Sequence, residues 1–202
     1  AGARDGSCLF HAWLLTKRAH LPAQFAADGL ERFRLVVVPS ARHLTAVDYA
    51  RLRSYVEQGG ALVWSLRGGL DGLDPALAGV EFDDFSLDAN TQASFEFNGI
   101  TYPVDWAAGL GPDAPIPIVR ATTATVVASY GDAPALTEAR VGAGRVYFLN
   151  APFESQLQSP GRLVSHPWHR LYADVAARAG VVPTRTVDDA DVEGVPLALP
   201  SG

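Results

Sequence analysis

Apolar residues along this chain recur at two spacings, and the switches between them mark out the elements. Residues 33–40, FRLVVVPS, form a continuous β-branched run with no polar alternation, which predicts a strand covered on both faces and ended by Pro39. The helical spacing takes over from Leu44. Thr45 is placed to cap a helix, Asp48 occupies the capping-box position, and Leu44 and Tyr49 can staple its entry. Leu52, Tyr55 and Val56 form the inward stripe, and Gly59-Gly60 supply the stop. ALVWSL, residues 61–66, follows as a second buried strand. Strand, helix and strand on short connections predict a right-handed parallel unit.

Outside that unit the pattern is less regular. Residues 8–20, CLFHAWLLTKRAH, can form a helix with Leu9, Phe10, Trp13, Leu14 and the stem of Lys17 on one side. PAQFA, residues 22–26, reads as a short strand. Residues 67–125 are rich in glycine, proline and aspartate and form an insertion or edge elaboration, with SFEFNGITYPV as a hairpin turning on Asn98-Gly99. TVVASYGDAPALTEARVGAGRVYFLN, residues 125–150, reads as a three-strand meander with glycine turns. The last helix is expected to be capped by Ser165 with Pro167 in its first turn. Its stripe is Trp168, Leu171, Tyr172, Val175, Ala176 and Ala179, and it stops at Gly180. Residues 186–202 form an extended tail, acidic and then apolar, that leads toward a following domain.

The totals narrow the class. A chain of 202 residues with 48% hydrophobic and 19% charged residues has enough apolar surface for one well-buried core. A net charge of -6 without a basic tract speaks against a nucleic-acid partner. The longest apolar runs, about five residues, fall far short of the roughly 20 needed to span a bilayer, so a membrane is not an expected partner. The opening AGARDGSCLFHAWLL lacks the layout of a signal peptide, and one cysteine cannot form an internal disulfide. The compartment stays open, with the cytoplasm slightly favoured. A start without methionine suggests a piece of a longer protein.

Several residues have the types that carry chemistry. Ser65 ends a buried strand before Gly68-Gly69, but a nucleophile elbow needs small residues at positions filled here by Val63 and Arg67, so Ser65 is expected to be scaffold. Cys8 with His11 is the minimum of a thiol hydrolase, yet Cys8 stands at the start of the chain, and packing is the plainer role. No catalytic residue is therefore assigned, and Cys8 and His11 remain the candidates. His166, His169 and Glu154 are too few and too awkwardly spaced for a metal site, and Glu154 is expected to accept from backbone at the turn after its strand. Asp83-Asp84 and the Asp188, Asp189, Asp191 group are expected in solvated loops. GGLDGLD lacks a phosphate-binding pattern, and neither metal nor cofactor is predicted. Trp13 and Trp168 fit helix stripes. Trp106 and Tyr102 lie where periodicity gives no answer, and are candidates for stacking on a sugar, anchoring a subunit contact or simple burial.

LVVVPSARHLTAVDYARLRSYVEQGGALVWSLRGG and ALTEARVGAGRVYFLNAPFE together resemble the β-galactosidase trimerisation domain of family 42 glycoside hydrolases. The matching features are the apolar strand ending Pro-Ser, the helix ending Gly-Gly, and the Gly-Ala-Gly-Arg turn into a strand ending Asn-Ala-Pro-Phe-Glu. They extend over most of residues 8–180, more loosely between residues 70 and 120. The resemblance implies a three-layer α/β fold of the flavodoxin-like, class I glutamine amidotransferase-like kind, with a mainly parallel sheet and an antiparallel β elaboration. It implies an accessory domain over residues 1–185, with the fold's first strand just before or around residues 1–7, where AGARDGS makes a poor strand. It further implies a non-catalytic oligomerisation role in a β-galactosidase-like parent, whose partners are other subunits and the parent's catalytic barrel. A barrel of roughly 250 residues cannot fit in this chain. The alternatives are a stand-alone thiol hydrolase using Cys8 and a carbohydrate-binding module using Trp106 and Tyr102.

Overall fold

The strand–helix–strand unit is present and parallel. The computed structural model describes residues 29–31, 33–38, 44–66, 74–87, 92–157 and 166–181. Strand β1 (Leu35–Val38) pairs in parallel with β2 (Ala61–Ser65), from Leu35 opposite Ala61 to Val38 opposite Trp64. Between them runs α1 (Ala46–Glu57). Its capping box is complete: the Asp48 amide donates to the Thr45 hydroxyl at 3.2 Å, and the Thr45 amide donates back to Asp48 Oδ2 at 2.9 Å. Leu52, Tyr55 and Val56 are buried as their spacing requires. The Tyr55 hydroxyl lies 3.0 Å from the Ala61 carbonyl and 3.2 Å from that of Phe33, which ties the helix to the starts of both strands.

The sheet is mixed, where a mainly parallel one was expected. β9 (Gly144–Leu149) lies parallel to β2, but β8 (Ala133–Val141) is antiparallel to β9 and β7 (Thr125–Tyr130) antiparallel to β8, giving the order β1-β2-β9-β8-β7. The reason is connection length. Gly131 (φ 59°) and Gly142 (φ 58°) sit in turns too short for anything but an antiparallel return. β2 is buried throughout, but β1 is not: Leu35, Val36 and Val37 are half-buried and only Val38 is fully covered. Among the described residues β1 is an outer strand of this sheet, so its faces lack the cover that a central position gives.

Residues 74–121 build the elaboration. Helix α2 (Pro75–Ala78) leads into β3 (Val80–Ser86), which pairs antiparallel with β6 (Ile116–Ala121). Between them β4 (Gln92–Phe97) and β5 (Ile100–Asp105) form the expected hairpin, with Asn98 (φ 50°) and Gly99 (φ 76°) both left-handed at its turn. The short helix α3 (Trp106–Leu110) follows, with Asp105 Oδ1 accepting from the Ala108 amide at 2.9 Å. Asp83 and Asp84 were expected in a loop and lie instead in β3. A register shift between Phe82 and Asp84 lets the strand bulge there, so both side chains stay in solvent.

After β9 come α4 (Phe153–Gln156) and α5 (Trp168–Arg178). α5 begins later than its sequence signals imply. Pro167 holds the non-helical cap position (ψ 62°) without a side-chain cap bond, and Ser165 lies outside the described residues. So do the predicted helix at 8–20, the strand expected at 22–26, residues 1–7 around which the fold's first strand was expected, and the tail at 186–202. Trp168, Leu171, Val175 and Ala176 are buried from α5, while Tyr172 and Ala179 are partly covered. α1 packs on β2 and β9, and the Ala143 amide donates to the Glu57 carbonyl at 3.0 Å, which joins the end of the helix to the β8–β9 turn.

Candidate functional site

The carboxyl ends of parallel strands are where open α/β sheets place their chemistry. Here those ends belong to β1, β2 and β9, and β2 and β9 are joined one step further by the Leu66 amide donating to the Leu149 carbonyl at 2.8 Å. Ser65, 1% exposed, closes β2 and donates its hydroxyl to Glu154 Oε1 at 2.7 Å. The Tyr172 hydroxyl, brought over by α5, donates to the same oxygen. Burial, and then the neighbouring Glu154 carboxylate, push the Tyr172 phenol well above its ordinary value of 10. Glu154 thus takes two side-chain hydroxyls, because α4 follows β9 after three residues and turns its first-turn carboxylate onto the end of β2.

This arrangement fixes elements and does not activate a nucleophile. In the Ser-His-Asp template the serine passes its proton to an imidazole, and here Ser65 is bonded directly to the Glu154 carboxylate. The histidines of the described residues, His166 and His169, are exposed, whereas Ser65 is buried. Among the described residues no three His, Cys, Asp or Glu side chains converge as a metal site. Cys8, His11 and the Asp188, Asp189, Asp191 group lie outside the described residues.

Trp106 and Tyr102, the candidates for sugar stacking or subunit contact, are both interior. Tyr102 is 0% and Trp106 3% exposed. Tyr102 sits among Phe95, Phe153 and Trp168, with ring centroids 5.5, 6.3 and 6.1 Å away, and Trp106 meets Tyr130 edge-on at 6.0 Å. The hairpin folds back on the meander and α4, so its aromatic side chains complete the core rather than a surface. Gln156, which sequence reasoning passed over, fixes that docking. Its side chain accepts from the Asp105 amide at 2.6 Å and donates to the Pro103 carbonyl at 3.0 Å. No local pattern marks it, since both partners are some fifty residues away.

The buried phenols make an alkaline prediction. Tyr49 and Tyr102 are each pushed up to about 12, chiefly by burial and then by nearby aspartates, and Tyr130, Tyr147 and Tyr172 are raised by burial. A raised phenol pKa favours the protonated, folded form. Its contribution is fully present below pH 10 and falls away as pH climbs from 10 toward the folded values. Tyrosinate absorbance should therefore stay low through pH 10 and appear with loss of ellipticity above it. A smooth titration centred at 10 in folded protein would contradict the burial.

Comparison with known proteins places this geometry. A family model described as the β-galactosidase trimerisation domain matches residues 16–181. No curated protein matches the chain. Among solved structures, an exo-β-1,4-mannosidase from Opitutaceae bacterium strain TAV5 superposes with a TM-score of 0.60 at 22% identity, over 72% of this chain and 26% of its own. A β-galactosidase from Bacillus circulans sp. alkalophilus gives 0.58 at 19% identity, over 81% of this chain and 25% of its own. The family 42 β-galactosidase Gan42B of G. stearothermophilus gives 0.54 at 20% identity, over 76% and 22%. The chain spans about a quarter of the length of each of these structures.

Proposed function

This chain belongs to the β-galactosidase trimerisation domain family, and from that premise we propose that it serves a larger glycoside hydrolase by holding its subunits together. The family match over residues 16–181 is the observation that carries the proposal. The domain itself is a non-catalytic accessory unit. The parent is a β-galactosidase-like retaining glycosidase whose two catalytic carboxylates stand on a separate barrel. Its partners are further copies of itself and that barrel, whose active-site mouth it helps to shape. The Ser65–Glu154–Tyr172 arrangement supports this division of labour, because the strand end that could present a nucleophile is tied into the fold.

The fuller architecture in this proposal is the three-layer flavodoxin-like one, supported by the parallel β1–α1–β2–β9 core. In this reading the domain occupies residues 1–185, with the insertion at 67–125. Light scattering after size exclusion, over a dilution series, is expected to return three times the chain mass. A single-chain mass at every concentration would remove the assembly role.

A further inference from the structure

A closed ring of three subunits is built from a heterologous contact, in which one patch of each copy meets a different patch of the next. Two such patches are visible. The large apolar side chains exposed among the described residues are Val47, Phe85, Leu87, Ile118 and Val126, and three of the five belong to the β3–β6 ribbon or its end. Seven residues of strand carry the far end of β3 about 20 Å from α2. Alternation puts Phe82, Phe85 and Leu87 on the face shared with Pro117 and Val119, because the bulge at Asp83 resets the phase between Phe82 and Phe85. That face is covered at Val119 (3% exposed) and uncovered at Phe85 (43%) and Leu87 (85%). The apolar inner face of the ribbon thus runs on past the core that it covers.

The charge of the tip is one-sided. Arg120 is paired with Glu81, which leaves Asp83 and Asp84 exposed with no cation on them among the described residues. The complementary surface is the outer face of α1. There Val47, 59% exposed, stands one turn from Arg51, which is exposed and unpaired among the described residues, while Arg53 on the inner flank is bonded to Asp74. An apolar side chain beside a free cation is what an apolar tip beside free carboxylates requires.

Resting on the assembly role proposed above, we infer that the β3–β6 tip of one copy docks on the outer face of α1 of a second copy of this chain, Phe85 and Leu87 against Val47 and Asp83 beside Arg51. These side chains form the centre of the contact, since a stable interface buries roughly 800 Å² on each partner and its binding energy concentrates in a few central groups.

The test is the solution mass of charge-swapped variants. Arg51→Glu and Asp83→Arg should each raise the concentration at half dissociation by about tenfold or more, and the double variant should recover most of the loss. Phe85→Ser with Leu87→Ser should dissociate the assembly while circular dichroism stays native. Val126→Ser, on the outer strand β7, should change nothing. An assembly that survives all of these variants in folded form would overturn this contact and leave the assembly role standing. A wild-type chain that is monomeric throughout would overturn both.

Discussion

Replacing Gly144 with alanine is expected to cost about 3 kcal/mol of stability, the upper end of what overpacking usually does. A Cβ there would stand 2.1 Å from the Val56 carbonyl oxygen and 2.3 Å from that of Gly60. Both obstacles are backbone, one in the last turn of α1 and one in the turn between α1 and β2, so no side chain can rotate away. The first residue of β9 sits against the helix terminus because β2 lies beside β9 and α1 packs over both. Gly131→Ala is the control. Gly131 has a left-handed φ of 59° but open space where its Cβ would be, so alanine there meets only the conformational cost, about 1 kcal/mol. Urea midpoints for the two variants should separate clearly. Equal losses would mean that the close approach at Gly144 is not what constrains the position.

Glu154→Ala is expected to destabilise by a similar amount, about 3 kcal/mol, because the hydroxyls of Ser65 and Tyr172 would both lose their acceptor in a buried setting. Glu154→Gln keeps an amide oxygen in place and should cost about 1 kcal/mol. Ser65→Ala removes a donor with its need for a partner, and its cost should shrink when Glu154 is already alanine. Chemical denaturation of the four proteins measures the coupling. Additive effects of Ser65→Ala and Glu154→Ala would show that the two side chains do not act together.

These two positions mark the boundary between local and distant causes. The β1–α1–β2 unit was legible because its determinants sit within a few residues of one another: β-branched runs, a Thr-x-x-Asp cap and a glycine stop. The Asn98-Gly99 hairpin and the meander were legible for the same reason, since a two-residue turn forces the pairing on either side of it. Those same turns account for the antiparallel side of the sheet, although a mainly parallel sheet was expected, and they do not account for the order of the strands. Nothing near Ala61 announces that its neighbour will be Arg145, eighty-four residues on.

The candidate site was less legible. Ser65 was recognisable as a residue without elbow geometry, yet its partner could not be named, because Glu154 arrives through the β2–β9 pairing and Tyr172 through the docking of α5. Trp106 and Tyr102 show the limit most clearly. An aromatic ring at an interface and one in a core are chemically the same residue, and a two-residue period on a hairpin leaves open which face will be covered.

By itself, then, the sequence determined the β1–α1–β2 unit, the Asn98-Gly99 hairpin and the absence of an elbow at Ser65, because each rests on short-range sterics and spacing, while the family came from resemblance. The tertiary structure alone decided which face of the hairpin is covered, where Gln156 and Glu154 find their partners, and which apolar residues remain on the ribbon tip. Those depend on what segments distant in the chain bring with them when they pack.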